Sequence, residues 1–415
     1  MLMLAGCSSG TSSGARPAPP VPAVVVEPPP PIGAVEPSFV GLHDHDPLGS
    51  WPKVAFGSYR AWDAGVTWRE IETAPGTYDF ARLDAIVDTA ERQNADVLVV
   101  LGQTPPFHAE DPTAESFYGA GAASPPDLEA WEAYVRALAT RYAGRDVAYQ
   151  VWNEANVLGF WSGTPAQLAE LTAVTAQVLD AVSPRPTLVA PAMATRLIGQ
   201  RAFFADFYGQ EVFGAAVASY VDVVSLQLYP EAEGGPAESM DLLESMRVRM
   251  AELGVDKPIW NTEINYGVSG AVDVAPDPLA EQQAKVAQTL LLNAAREVDR
   301  VYWYGWDQQG LVDTLLTEAN GVSQSPAGRA FEVVSEWLVG SVMESCEPDA
   351  AGTYTCVLRR TGRSLIVYWN ATAPATVMIP AGATWVEKAD GTPLPTPGVE
   401  LAVSAVPVMV EVPAG

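Results

Sequence analysis

The chain has 415 residues, 48% of them apolar, and a formal net charge of −27 that no cluster of Lys or Arg interrupts. Such a field repels phosphate backbones and anionic lipid, which argues against nucleic acid as a partner. No run of 18 apolar residues occurs, so no spanning helix is expected, and the length suits one large barrel with a small appendage.

The first ten residues, MLMLAGCSSG, place Cys7 after Leu4, Ala5 and Gly6. This resembles the bacterial lipoprotein signal, in which the cysteine becomes the lipidated first residue of the mature protein, although the charged n-region and most of the apolar h-region are missing. Either the start is set too late or the match is accidental; the downstream composition favours the first. Residues 8–37 are Ser/Gly-rich and then Pro-rich, which predicts a disordered, extended tether. A lipid at Cys7 is the one membrane attachment this chain suggests.

From residue 38, short β-branched or aromatic runs alternate with longer amphipathic ones. The strand candidates are 38–43, 54–59, 97–102, 147–152, 187–191, 222–229, 257–262 and 300–305, most of them bounded by Asp, Pro or Gly. Helical spacing of apolar residues marks 83–94, 127–143, 165–183, 237–253, 278–298 and 325–339, with Asp127 as a candidate N-cap. Eight strands with intervening helices predict an α/β fold, a (β/α)8 TIM barrel over 38–340. Only DHDPLGSWPKV separates the first two strands, so the first helix is expected to be very short or absent.

Residues 341–415 change character. Alternating strand patterns separated by Gly/Pro turns predict a small antiparallel, β-sandwich-like domain. Its Trp369 and Trp385 do not compose a binding face, and the Asn370-Ala-Thr sequon reads as chance. Cys346 and Cys356, close in sequence with a Gly between them and strand-like flanks, suit a disulfide across a hairpin and hence an extracytoplasmic compartment; two buried free thiols are the alternative. No Cys/His cluster has zinc-ligand spacing, and no metal or cofactor is implied. Nothing in the chain speaks to its oligomeric state.

Active sites of such barrels lie where the strands end. Strand four ends in Asn153-Glu154, and strand seven, within PIWNTEINYG, ends in Glu263. A carboxylate at the end of a buried strand is costly without a partner or a task. Two that converge on the barrel mouth suit glycoside cleavage, in which one carboxyl protonates the leaving oxygen and the other attacks the anomeric carbon.

VWNEANVLGFW together with IWNTEINYG resembles glycoside hydrolase clan A, the retaining (β/α)8 hydrolases. The stretch FGSYRAWDAGVTWREIETAPGTYDF and the later LGQTPPFHA are similar to the family 39 branch and its relatives. The resemblance covers roughly residues 38–340. It implies Glu154 as general acid/base, Glu263 as nucleophile, and Asn153 as the amide holding the sugar hydroxyl beside the reacting carbon. It also implies Arg60 as the cation that keeps the nucleophile ionised and Tyr229 as a hydrogen-bond partner of the nucleophile. Gln227 shares a strand face with Tyr229 by period-two alternation; many relatives have His there. Trp306 resembles the platform on which the sugar ring stacks, and Trp303 is left open between platform and core. His43, ending strand one at the mouth, is expected to contact substrate, with metal binding the lesser reading of GLHDHDP. His108 either lines the glycone pocket or caps a loop.

The implied function is a retaining glycoside hydrolase acting by double displacement on a cell-envelope or extracellular poly- or oligosaccharide. The alternatives are a catalytically inactive carbohydrate-binding lipoprotein, and arabinofuranosides in place of β-pyranosides. Sugar, linkage and exo or endo action depend on loops whose shape the sequence does not reveal, chiefly 105–125 and 307–324.

Overall fold

A computed structural model of the chain describes residues 33–268, 274–308, 310–395 and 398–413. Cys7 and most of the expected tether lie outside them. Eight parallel strands line up as β1 (Val40–His43), β2 (Ser58–Ala61), β3 (Asp96–Leu101), β4 (Val147–Val151), β5 (Leu188–Val189), β6 (Val224–Gln227), β7 (Ile259–Ile264) and β8 (Arg300–Tyr304). Each pairs with its neighbour in sequence, β8 pairs back onto β1, and a parallel bridge between Val189 and Val223 closes the ring between β5 and β6. This is a (β/α)8 barrel with an antiparallel β domain after it, as the alternating pattern predicts.

The barrel floor is apolar. Leu98, Ala148, Val189, Val223, Trp260 and Tyr302 form one buried cluster. Arg300 and Asp96, the first residues of β8 and β3, pair at 2.7 Å beside this cluster, while Asn153, Glu154, Gln227 and Glu263 gather at the strands' other ends. Outside run α1 (Trp68–Ile71), α2 (Ala81–Arg92), α3 (Leu128–Arg141), α4 (Pro165–Asp180), α5 (Ile198–Tyr208), α6 (Pro236–Glu252), α7 (Leu279–Ala295) and α8 (Pro326–Leu338). The Asp127 side chain accepts from the Ala130 amide and caps α3. No helix joins β1 to β2.

Several elements differ from the sequence reading, among them the four-residue α1, which no apolar spacing marked. Strand β2 starts at Ser58, not at 54. The apolar run before it packs as a loop: Phe56 stacks on Trp51 at 5.2 Å, and Gly57 lies so close to the Pro37 carbonyl that a Cβ would stand 2.2 Å from its oxygen. Helix α5 was hidden because Leu197 and Ile198 at its start are exposed while Phe204, Phe207 and Tyr208 are buried, which blurs the helical period.

The C-terminal strands are β9 (Val342–Pro348), β10 (Thr353–Arg360), β11 (Arg363–Asn370), β12 (Ala375–Met378), β13 (Trp385–Lys388), β14 (Glu400–Val403) and β15 (Val408–Pro413). They form a five-stranded sheet ordered β9-β10-β11-β15-β13 and a β12–β14 ribbon. Cys346 and Cys356 face each other across the β9–β10 hairpin and are disulfide-bonded. One face of the large sheet joins the barrel's core through Leu358, Leu365, Val367 and Trp369. Gln288 on α7 donates to the Ala405 carbonyl at 2.7 Å, and Trp337 on α8 to Glu387 at 2.8 Å. Residues just before β1 also pack: Val35 bridges to Val339, and its amide donates to Ser341 O at 2.8 Å.

At the β1–β8 seam, a Cβ on Gly41 would meet the Tyr302 ring at 2.6 Å and the Val301 carbonyl oxygen at 2.8 Å. Both are barrel parts that cannot swing away. Gly41→Ala is therefore expected to destabilise the protein by roughly 1–3 kcal/mol. Urea denaturation checks this; wild-type stability would mean the seam yields more than close packing allows.

Candidate active site

Glu154 is aimed by its backbone. Trp152 and Glu154 both adopt left-handed conformations, with φ of 61° and 43°, which non-glycine residues tolerate only where the surroundings hold them. Trp152 supplies that hold: its amide donates to Leu101 O at 2.7 Å, its indole donates to Phe160 O at 2.7 Å, and Trp161 packs edge-on at 4.7 Å. The chain thus turns sharply at the top of β4, with the half-buried Glu154 side chain lining a cleft.

Glu263 is held in place. Arg60, fully buried on β2, donates from Nη1 to Glu263 Oε2 at 2.7 Å, from Nη2 to Asn153 Oδ1 at 2.6 Å, and from Nε to Gln150 Oε1 at 3.1 Å. Gln150 passes the network on, donating to Ser225 Oγ at 2.8 Å, and Ser225 and Thr262 share a hydroxyl contact at 2.6 Å. Tyr229 donates to Glu263 Oε1 at 2.8 Å, and Gln227 Nε2 reaches Glu263 Oε2 at 3.3 Å and Asn153 Oδ1 at 3.2 Å. The β6–β7 register shifts between Leu226 and Gln227, so that Gln227 pairs with Glu263. A bulge at such a point re-aims side chains. Three donors from β2 and the end of β6 therefore hold one carboxylate of β7.

Both carboxyls line one cleft of about 510 Å³ at the strands' C-terminal ends, together with Asn153, Gln227 and Tyr229. Their environments differ. No hydrogen-bond donor contacts the Glu154 carboxyl among the described residues. Burial first, and then the Glu263 charge, push its pKa up to about 8, against the opposing pull of Arg60 and Arg196. Burial and the Glu263 charge also raise Tyr229 well above the usual phenol range, so it remains a donor.

Three expected substrate contacts sit elsewhere. Trp306 is 1% exposed, belongs to the apolar core and does not line the cleft, so it offers no stacking face; Trp303 is core as well. His43 is fully buried beneath Trp62, its Nε2 within 2.6 Å of the Trp62 carbonyl oxygen, and burial holds its pKa well below the ordinary value. A neutral imidazole there is a strut rather than a substrate contact. His108 stacks on Trp68 and meets Glu72 at 3.0 Å, which ties down the loop after β3 away from the cleft. No group of three or more metal-ligating side chains occurs among the described residues.

The cleft contains residues that sequence reasoning passed over: Trp62, Asp63, Phe117, Tyr118, Arg196 and Tyr304. Asp63 follows the end of β2 by two residues, close to the signal that marked Glu154, whereas Arg196 lies further on, in the loop between β5 and α5. Burial raises the Asp63 pKa, while a hydrogen bond from Tyr118 opposes the shift. Arg196 donates to Val268 O at 2.6 Å and Pro230 O at 3.3 Å, bracing the loops after β5, β6 and β7.

A closed (β/α)8 barrel presenting two strand-end carboxyls in one cleft has the form of a glycoside hydrolase. Residues 59–312 match the sequence model of Glycosyl hydrolases family 39, and the chain belongs to that family. No curated protein matches the sequence significantly. Among solved structures, the chain is similar to a family 39 glycoside hydrolase from the gut symbiont Bacteroides cellulosilyticus, at 19% identity and a TM-score of 0.70 over 92% of this chain and 82% of that one. A glucosidase from Croceicoccus marinus aligns at 16% identity and a TM-score of 0.67, over 93% and 97% of the two chains. A family 39 β-xylosidase from Caulobacter crescentus aligns at 17% and 0.65, over 94% and 98%. At these identities the structural likeness speaks for the fold alone.

Replacing Arg60 by Met would leave the buried Glu263, Asn153 and Gln150 without their shared donor. Arg60→Met is expected to cost about 3–5 kcal/mol of stability. Chemical denaturation measures it, and a loss below 1 kcal/mol would show that the buried charge is not held through this network.

Proposed function

We propose that this protein hydrolyses O-glycosidic bonds with retention of anomeric configuration, with Glu263 as nucleophile and Glu154 as general acid/base. The observation that carries the reading is the opposed settings of two carboxyls in one cleft: one gripped by three donors, the other met by no donor among the described residues and pushed by burial up to about 8. A proton held at neutral pH suits an acid that must deliver it to a leaving oxygen, and a fixed carboxylate suits attack on the anomeric carbon. Asn153 spends its Oδ1 on Arg60 and Gln227, which leaves its Nδ2 to donate to a sugar hydroxyl beside the reacting carbon.

In the first step Glu263 bonds to the anomeric carbon while Glu154 transfers its proton to the departing oxygen. Ester formation removes the Glu263 charge, one of the causes that raise Glu154, so Glu154 then ionises more readily and draws a proton from water as that water displaces the ester. Retention requires the two carboxyls about 5–5.5 Å apart. The substrate class we favour is β-linked pyranosides, in keeping with the xylosidase and glucosidase among the structural neighbours, with arabinofuranosides as the alternative to be screened. The Cys346–Cys356 disulfide supports an extracytoplasmic setting. No helix among the described residues is long and apolar enough to cross a membrane; a lipid at Cys7 would supply the anchor.

A panel of 4-nitrophenyl β-D-xyloside, β-D-glucoside, β-D-galactoside and α-L-arabinofuranoside identifies the sugar. Glu154→Ala should lower kcat/KM by about 10²–10⁴-fold toward poor leaving groups. Added azide should then yield a glycosyl azide of retained configuration from Glu154→Ala and of inverted configuration from Glu263→Ala. Undiminished turnover in either variant would remove that residue from the mechanism.

The acid must be protonated, so kcat/KM is expected to fall as pH rises through about 8. Arg196 lowers the Glu154 pKa, so Arg196→Gln should move that alkaline limb to higher pH. A limb that stays put or moves down would contradict the assignment of Glu154 as the titrating acid.

A further inference from the structure

Arg196 is the one cation among the described residues that line the cleft. It stands close enough to Glu154 to lower that group's pKa, yet it makes no ion pair among the described residues. Carboxylates are not scarce: acidic residues outnumber basic ones 50 to 23 in the chain. Two backbone carbonyls hold the guanidinium in place, Val268 O at 2.6 Å and Pro230 O at 3.3 Å, and both accept from Nη1. Its Nε and Nη2 groups meet no acceptor among the described residues. Gln200, in the first turn of α5 and also lining the cleft, spends Oε1 on the Leu197 amide at 2.8 Å, which leaves its Nε2 as a donor. Asn156 ties this wall to the loop that carries Glu154. Its Nδ2 donates to Ala194 O at 2.7 Å and Gln200 O at 3.1 Å, and its Oδ1 accepts from the Ala194 amide at 3.0 Å. The loop after β5 thus sets fixed donors beside the acid.

Donors that share a wall and lack acceptors suit a ligand group that only accepts, and the planar fork of a guanidinium matches a carboxylate in shape and charge. A guanidinium already held by two carbonyls loses little freedom on binding it. The acid stands beside the departing oxygen, so a group held next to it belongs to the departing part. The glycone lies over Glu263, whose charge repels a carboxylate there. We propose that Arg196 and Gln200 bind the carboxylate of an acidic leaving group, so that the bond cleaved joins a neutral glycone to a uronic acid. This rests on the hydrolase reading above and names the chemistry of the unit released. A net charge of −27 disfavours a polymer charged at every unit, so one acidic sugar beside a neutral one is the fitting substrate.

The test pairs two disaccharides that differ in one group: 4-O-β-D-xylosyl-D-glucuronate and 4-O-β-D-xylosyl-D-glucose, or the same pair on whichever glycone the panel selects. At about pH 6 the glucuronate is ionised and Glu154 keeps its proton. Wild type should prefer the glucuronate by about tenfold in kcat/KM. Arg196→Gln should bring that ratio to about one, and Arg196→Lys, which keeps the charge without the fork, should keep part of the preference. Each ratio is taken on one preparation, so a misfolded fraction cancels. A ratio near one in wild type, or a preference that survives Arg196→Gln, would overturn the acidic leaving group and leave the hydrolase intact. Turnover of the nitrophenyl panel with neither disaccharide cleaved would do the same. A wild-type protein inert toward the panel and both disaccharides would instead remove the hydrolase reading, and this one with it.

Discussion

A buried guanidinium joins three strands across the barrel mouth. Arg60 rises from β2, and its three donor nitrogens meet Gln150 on β4, Asn153 just beyond β4, and Glu263 on β7. Placing an isolated charge in such an interior costs several kcal/mol, and the cost is offset only where geometry and hydrogen bonding are both good. That requirement fixes much else. Gln150 needs Ser225 as its own acceptor, Asn153 must turn its oxygen inward, and the register shift at Gln227 brings a further donor to Glu263. The network reaches down the barrel to Ser225, which is in register with Trp260 of the apolar cluster.

The same layer gives the two carboxyls different surroundings. Arg60, Gln227 and Tyr229 grip Glu263, while Glu154 meets the cleft from a left-handed turn with no donor on its carboxyl among the described residues. Burial then holds a proton on it. Because the Glu263 charge is a second cause of that shift, the state of one carboxyl sets the readiness of the other, which is what a two-step displacement requires. The cleft walls differ in kind from the floor: polar groups converge where the glycosidic bond would sit, and Phe117, Phe160 and Val157 border the space beyond Glu154.

Much of this arrangement was legible in the sequence, for identifiable reasons. Alternating strand and helix patterns gave the barrel, since buried parallel strands leave near-continuous apolar runs. Glu154 and Glu263 stood out because a carboxylate ending such a run is expensive. The polar partners Arg60, Asn153 and Tyr229 were legible through family resemblance, because hydrogen bonds spanning the barrel leave no local pattern. The aromatic and imidazole residues were misjudged for one shared reason. Trp306 and His43 lie at strand ends, where a side chain that points to substrate and one that plugs the core share the same spacing. Only their burial tells them apart. His108 was left between two readings, and its contact with Glu72 favours the loop. Asp63 escaped notice because β2 ends two residues later than expected, and Arg196 because it lies in the loop after β5, where a lone cation reads as a surface charge.

The central claim is that Glu263 forms a covalent ester with the sugar while Glu154 manages the proton. Incubation with a 2-deoxy-2-fluoro glycoside bearing a good leaving group, followed by mass spectrometry of the digested protein, addresses it directly. The expected result is a single fluorosugar adduct on the peptide containing Glu263. An adduct on any other residue, or turnover to product of inverted configuration with no adduct, would contradict it.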